Sequence, residues 1–174
     1  MIQQLNYTIF NTDMGWVGML ASAKRLLGTT LPQRSAQEAY LLLGDSVNRA
    51  TCSPHPFKDL MERLKAYFNG HRITFSDKLD LSQGTHFQRE VWETTRRIPY
   101  GETRSYGWVA EQIRNPRAVR AVGQALGKNP LPIIVPCHRV VASDGKLGGF
   151  GGGMEMKKHL ISLEASASIV KREG

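Results

Sequence analysis

Three residues in the last third of the sequence are of types that do chemistry together: Cys137, its neighbour His138, and Glu164. A thiolate is a strong nucleophile, and an adjacent base or cationic group promotes its formation. An imidazole can take the thiol proton and a carboxylate can orient the imidazole, the logic of a nucleophile–base–orienter triad. Cys137 lies in Pro136-Cys137-His138-Arg139, between the apolar run Ile133-Ile134-Val135 and the pair Val140-Val141. Both flanks read as buried strand, which would hold the thiol rigid and sheltered. Neighbours on a strand point to opposite faces, so contact between Cys137 and His138 needs a turn at the cysteine or a bridging water. Glu164 ends a helical segment from Met154 whose apolar stripe is Met156, Leu160 and Leu163. Four residues after Leu160, it leans toward the same interior, where a carboxylate is costly unless paired. It also falls near the expected helix C-terminus, where negative charge is disfavoured. Pairing with the His138 imidazole would answer both. Spacing alone does not establish contact, and a lone cysteine is more commonly a small buried apolar residue.

The elements that must position these residues begin at Thr85. Thr85-His86-Phe87-Gln88 is a capping box, and Phe87, Val91 and Ile98 give its helix a buried stripe that stops at Pro99-Tyr100-Gly101. Ser105 can cap a short helix through Ile113. Asn115 can cap the next, with Pro116 at the first helical position and Gly127 at its end. Two short helices so joined make a helix-turn-helix. On the second, Ala118, Val122, Ala125 and Leu126 can pack inward, while Arg117, Arg120, Ala121 and Gln124 share the opposite face. A basic face with small residues can lie close to a DNA groove; it is equally the pattern of a solvated helix surface.

Before Thr85 the character differs. Leu5, Tyr7 and Ile9 alternate with polar neighbours, Thr12-Asp13-Met14-Gly15 supplies a turn, and Trp16-Val17 resumes β character. Ser35-Ala36-Gln37-Glu38 is a second capping box, opening a helix to Leu43-Gly44. Phe57, Leu60, Met61, Leu64, Tyr67 and Phe68 recur at helical spacing and stop at Asn69-Gly70. Ile73-Thr74-Phe75 looks like one more strand, and residues 76–84 are the best linker. The chain therefore divides into an N-terminal α/β domain, 1–81, and a mainly helical C-terminal domain, 82–174.

Composition narrows the class. With 174 residues, 41% hydrophobic and 22% charged, the chain is an ordinary globular protein of one large or two small domains. No apolar run reaches a membrane span of about 18 residues, and the run Trp16 to Ala21 lacks the basic flank of a signal peptide. The two cysteines, Cys52 and Cys137, are too few for a disulfide scaffold or a four-ligand zinc site. No metal is expected. The net charge is +8, and residues 82–174 hold fourteen Lys/Arg against eight Asp/Glu, while residues 1–81 hold nine against seven. The excess positive charge thus sits with the proposed helix-turn-helix, as suits a face meeting phosphates.

Pro136-Cys137-His138-Arg139-Val140 resembles the signature of the O6-alkylguanine-DNA alkyltransferases. The resemblance runs from Phe87 to Glu164 through Ile98-Pro99-Tyr100-Gly101, Ser105-Tyr106-Gly107, Arg120-Ala121-Val122-Gly123 and Asn129-Pro130. It implies a ribonuclease H-like N-terminal domain and a winged-helix-like C-terminal one. It implies direct damage reversal: irreversible, single-turnover transfer of an alkyl group from O6 of guanine in DNA, with O4 of thymine a second target, to Cys137. His138, through a water, would make the thiolate, Glu164 would orient it, and Asn129 would organise the turn. Tyr106 would contact the extruded guanine, and Arg120 would fill the gap it leaves in the stack. Ala121 and Gly123, with Arg117 nearby, would lie in the minor groove. Val140 and Gly151 would offer backbone groups to the base, Phe150 would line the pocket, and Lys157 would lie at its edge. No cofactor is implied. The partner would be double-stranded DNA containing O6-alkylguanine, bound by a cytoplasmic, nucleoid-associated monomer, several of which could sit along one duplex. Two positions depart from the pattern: Phe150 stands where a tyrosine is common, and Gly151 where a serine is. The loop Gly148–Gly153 has five glycines and is expected to move until the base enters.

Three other classes compete. A non-enzymatic lesion-binding protein would lack an acceptor cysteine. A cysteine hydrolase would need an oxyanion site, which nothing marks. A transcription regulator would need a dimerisation segment, and none is evident.

Overall fold

The computed structural model describes residues 3–150 and 152–173, with side chains described through residue 167. The chain folds as two compact units, Met1–Asp80 with Pro130–Pro132, and Leu81–Asn129 with Ile133–Gly174.

The first unit is built on a four-stranded sheet in the order β3-β2-β1-β4. Strands β1 (Leu5–Thr12) and β2 (Gly15–Ser22) form a hairpin in which Ile9 faces Gly18. β3 (Leu26–Thr29) pairs antiparallel with β2, and a two-residue β4 (Thr51–Cys52) runs parallel to β1. Helix α1 (Ala36–Leu42) covers one face, where Tyr40 meets Tyr7 edge-on and Ala39 closes over Gly18. Helix α2 (Lys58–Phe68) packs against β1 with Lys65 over the Phe10 ring. The expected alternation therefore fails: Leu5, Thr8 and Phe10 are buried, while Tyr7 and Ile9 are half-buried. A sheet covered on both faces has no reason to alternate cleanly.

Helix α2 buries Leu60, Leu64, Tyr67 and Phe68 and ends as expected, with Gly70 at φ +91 and the His71 N–H bonded back to the Ala66 carbonyl. Ile73-Thr74-Phe75 is not a strand. Instead Phe75 packs on Tyr67 and beneath Arg63, Asp77 takes the Arg63 guanidinium at 2.6 and 2.9 Å, and the edge of β3 is taken a few residues later, at Leu79. The expected linker is partly structured, because Leu26 exchanges backbone hydrogen bonds with Lys78 and Asp80.

In the second unit, α3 (His86–Thr95) starts at a reciprocal Thr85/Gln88 capping box and buries Val91, Trp92, Thr94 and Thr95. Trp92 Nε1 donates to the Ala125 carbonyl at 2.8 Å, tying α3 to α5 (Val119–Gly127). Ser105 caps α4 (Tyr106–Gln112) by accepting from the Trp108 N–H. The expected cap at Asn115 does not form. The Asn115 carbonyl closes a turn onto the Ala118 N–H, so Pro116 and Arg117 stay in that turn and α5 begins only at Val119. Val122, Ala125 and Leu126 are buried as the pattern requires.

Ile133-Ile134-Val135 also departs from its expected strand. The Val135 carbonyl accepts from both the Asn129 side chain, at 2.9 Å, and the Cys137 N–H, at 2.8 Å, and Ile133 takes φ +75. With that carbonyl occupied locally, the chain turns into a 3-10 segment, Cys137–Arg139. β6 (Val140–Val141) then pairs in parallel with β5 (Arg104–Ser105). Helix α6 runs from Met154 to Glu173, well past its expected end, so Glu164 lies inside the helix and the dipole does not oppose it. Its buried stripe is Lys157, Leu160 and Glu164, not the expected Met156, Leu160 and Leu163.

Candidate active site

The 3-10 turn places Cys137 on a pocket of about 530 Å³ lined by Tyr106, Val119, Arg120, Gly123, Gln124, Leu126, Gly127, Gly149 and Phe150. The thiol is 7% exposed, and His138 behind it is wholly buried. His138 Nε2 lies 2.5 Å from Glu164 Oε2, joining the turn to the middle of α6. Glu164 also accepts from Arg139 Nε at 2.8 Å, Arg139 Nη2 at 3.2 Å and the Gly101 N–H at 3.0 Å. Arg139 Nη1 reaches the Ile98 carbonyl at 2.7 Å, and its guanidinium lies over the Tyr100 ring. The Ile98–Gly101 turn is thereby braced on the buried ion cluster. Gly101, at φ +81, supplies the backbone shape that delivers its N–H.

These surroundings set the charge states. Burial alone would push the Glu164 carboxyl up, but hydrogen bonds from His138 and Arg139 and the charge of Arg139 outweigh it and hold the group down at about 2. Glu164 is therefore an anion at any working pH. Burial pushes His138 down despite the pull of Glu164, and Arg139 and Lys157 push the same way, so the imidazole is neutral. Burial pushes the Cys137 thiol up. The Asn129 side chain, the positive charge of Lys157 and the backbone N–H groups of Cys137 and His138 work against that. The resting pair is a thiol beside a neutral base, a state poised for proton transfer and inert until one occurs.

Lys157 is wholly buried behind the pocket rather than at its edge. Its ammonium donates to Tyr106 Oη and to the Gly149 carbonyl, both at 3.3 Å, and lies over the Tyr106 and Phe150 rings. Burial lowers it to about 8, with the Cys137 charge pulling the other way. Tyr106, at the start of α4, donates to Gly149 O at 3.4 Å and covers Gly123. Arg117, Arg120 and Ala121 are exposed, Arg117 in the turn before α5 and the other two on the helix. Val140 is buried in β6. Gly151 lies outside the described residues.

The structure thus brings Cys137, His138, Glu164, Asn129, Tyr106, Phe150 and Lys157 to one pocket and its back wall, with Arg120 and Gly123 on its rim. Arg139 is the member that the triad logic does not single out. Its signal is a guanidinium beside the apolar pair Val140-Val141, where a charge needs a partner. Among the described residues no group of three His, Cys, Asp or Glu could hold a metal ion.

Residues 86–166 match the family model for the DNA-binding domain of 6-O-methylguanine DNA methyltransferase. A methylated-DNA–protein-cysteine methyltransferase of Mycolicibacterium paratuberculosis is 54% identical over 114 residues, covering 66% of this chain and 68% of that protein. The chain belongs to the methylated-DNA–protein-cysteine methyltransferase family. Two crystal structures from Mycobacterium tuberculosis extend the likeness to nearly the whole chain. The O6-methylguanine methyltransferase superposes with a TM-score of 0.81 at 40% identity over 94% of each chain. OGT in complex with DNA gives 0.80 at 41% identity, over 93% of this chain and 94% of that one. The α/β fold class is therefore common to this chain and these family members.

Proposed function

We propose that this chain repairs DNA by taking an alkyl group from O6 of guanine onto Cys137, once per molecule. The observation that carries it is the cysteine at the end of a fully buried His138–Glu164–Arg139 network, facing a pocket whose rim carries Arg120. A module that only bound lesions would have no use for a buried acid–base network behind a thiol.

The steps follow from the groups. His138, held neutral, accepts the Cys137 proton through a water, leaving the thiolate within reach of Lys157's positive charge. Sγ attacks the alkyl carbon and forms a C–S bond. The C–O6 bond breaks with its electron pair staying on oxygen, and the base takes up one proton as it becomes guanine. Tyr106 would supply that proton to the leaving base and be reprotonated by the Lys157 ammonium that donates to its hydroxyl, while the proton held by His138 passes to solvent and solvent restores Lys157. O6 lies inside the base stack, so the nucleotide must be extruded at a cost of a few kcal/mol. Arg120, exposed on the pocket rim, would enter the gap and offset part of that cost. The α4–turn–α5 pair would act as a helix-turn-helix with Ala121 and Gly123 toward the minor groove and Arg117 on phosphate. The relative solved with DNA supports DNA as the partner. We expect a cytoplasmic monomer that can line up along the duplex.

The product thioether is a poor leaving group, and Cys52, exposed on β4 in the other unit, offers no relay. The test is the intact mass of the protein after mixing with excess DNA containing O6-methylguanine. A single added methyl, mapped to Cys137, is expected; no addition, or turnover beyond one methyl per protein, would refute the reading.

A further inference from the structure

The carboxylate of Glu164 serves two side-chain partners, not one. His138 Nε2 takes Oε2, while Arg139 takes both oxygens and the Gly101 N–H adds to Oε1. An ionised carboxylate only accepts, so the short contact to Nε2 is an N–H donation from the imidazole. That fixes the proton on Nε2 and makes Nδ1 the basic atom. The charge count matters as much as the tautomer. Arg139 and Glu164 already balance, so a proton added to His138 would put a second cation on one buried carboxylate, with the Lys157 ammonium near by. We propose that Arg139 is a positioning residue: by sharing Glu164 with His138, it locks the Nε2–H tautomer and keeps the imidazole uncharged and ready to accept the Cys137 proton at Nδ1.

This rests on the acid–base role given to His138 above. The charged groups that bear on the imidazole are Glu164 and Lys157 from α6 and Arg139 from its own turn, where the Cys137 thiol is its neighbour. The Tyr100 ring lies under Arg139. α3, packed on the same turn, buries only the uncharged Val91, Trp92, Thr94 and Thr95. Among these, Arg139 and Lys157 are the groups opposing a proton on His138, and Arg139 alone shares its carboxylate. A purely structural arginine would hold the Ile98–Gly101 turn without affecting when the imidazole charges.

The test uses the full chain, native and as Arg139→Gln and Arg139→Lys. The rate of Cys137 alkylation by iodoacetamide is followed from about pH 5 to about pH 9 by peptide mass, so that Cys52 is counted separately; this needs no DNA. Freed from Arg139, the carboxylate stabilises the imidazolium, so the low-pH limb should move up by about one pH unit in Arg139→Gln. In Arg139→Lys, which keeps the charge but not the fork, the limb should move less. An unmoved limb in Arg139→Gln, with only the plateau or the melting temperature lowered, overturns the proposal, as does a native profile without a limb. Should Arg139→Gln fail to fold, the nitrogen-15 shifts of His138 in the native protein decide. A neutral Nε2–H tautomer at about pH 6 supports the proposal, and an Nδ1–H tautomer or an imidazolium there refutes it. A protein that shows the limb shift but takes no methyl from DNA supports the role of Arg139 and refutes the repair reading.

Discussion

The two units bury polar groups of different kinds. Among the described residues, those of the first unit are the hydroxyls of Thr8, Ser22, Thr29 and Thr30, while the second buries His138, Arg139, Lys157 and Glu164 beside Thr94 and Thr95. Three of these hydroxyls bond to backbone: Thr30 Oγ1 accepts from the Gly18 N–H at 2.9 Å, Thr29 Oγ1 donates to Pro132 O at 2.9 Å and Ser22 Oγ donates to Arg25 O at 3.3 Å. Its strongest ion pair, Arg63–Asp77, keeps about a quarter of the Arg63 side chain in solvent. Moving an ion into the interior costs several kcal/mol, and only excellent geometry with further hydrogen bonds offsets it. The second unit bears that cost three times over, for Arg139, Lys157 and Glu164, at the place where a thiol needs a neutral base and a fixed anion. Stability and chemistry are thus divided between the units, and the division can be broken experimentally.

The largest effect is expected at the nucleophile. Cys137→Ser should lower alkyl transfer by more than about 10⁴-fold, as loss of a catalytic nucleophile does, while Cys52→Ser should leave it unchanged. Transfer retained in Cys137→Ser would move the acceptor to the first unit and dissolve the division.

Next comes the buried carboxylate. Glu164→Ala leaves the buried Arg139 guanidinium without its anion and His138 without its carboxylate, and should cost roughly 3–5 kcal/mol, against under about 1 kcal/mol for Asp77→Asn in the first unit. The sign of the pH dependence follows. Glu164 sits at about 2 when folded and near 4.5 otherwise, so it stabilises the fold fully above about pH 4.5. That contribution, on the order of 3 kcal/mol, fades as the pH falls toward 2. His138 acts in the same direction, because its folded value is pushed down: the native state loses ground as the pH drops below the ordinary imidazole range near 6.5. Trp16 lies in the first unit and Trp92 and Trp108 in the second, so variants keeping one tryptophan report each unit. The second should melt at higher pH on acidification; coincident acid transitions would argue that the buried cluster does not set acid stability.

A third effect concerns the loop. Gly148 has φ +70, and a Cβ there would lie 2.5 Å from Tyr106 Oη. Gly148→Ala should therefore push the loop off Tyr106, break the Tyr106–Gly149 contact and cost about 1–3 kcal/mol. An unchanged melting temperature and unchanged Tyr106 fluorescence would show that the loop does not rest on this tyrosine.

Much of this was legible in the sequence where a local rule acts alone. Capping residues Ser35, Thr85 and Ser105 and the Asn69-Gly70 stop behave as their types require. The link from His138 to Glu164 was legible from the cost of a carboxylate on an interior stripe. What was not legible depended on tertiary partners. Ile133-Ile134-Val135 has every mark of a strand, but Asn129 captures the Val135 carbonyl and turns the chain. Ile73-Thr74-Phe75 lies on α2 through Phe75 and Tyr67, and Leu79 rather than this segment takes the edge of β3. Lys157, expected at the pocket edge, is instead buried, because Tyr106 and Phe150 close over it. Arg139 hid behind its neighbour, since adjacent residues seldom share a partner; the 3-10 turn lets His138 and Arg139 converge on one carboxylate.

The smallest expected effect sharpens the same contrast at the helix starts. Thr85 and Gln88 satisfy each other reciprocally: the Gln88 N–H donates to Thr85 Oγ1 at 3.1 Å, and the Thr85 N–H to Gln88 Oε1 at 2.9 Å. In the first unit Ser35 Oγ accepts from the Glu38 N–H at 3.1 Å, but Glu38 Oε2 takes the Arg34 N–H at 3.2 Å instead of that of Ser35. Each cap should be worth about 1 kcal/mol when truncated to alanine. Their couplings should differ. In a double-mutant cycle, two groups that hold each other's backbone interact, and two that hold separate backbone groups add. Thr85→Ala with Gln88→Ala should therefore show a coupling of about 0.5 kcal/mol or more, and Ser35→Ala with Glu38→Ala one near zero. Denaturant melts of the four single and two double variants, read through Trp92 for one pair and Trp16 for the other, measure both cycles. Equal couplings would mean that Glu38 swings back to the Ser35 N–H in solution, and that the two helix starts differ less than their hydrogen bonds indicate.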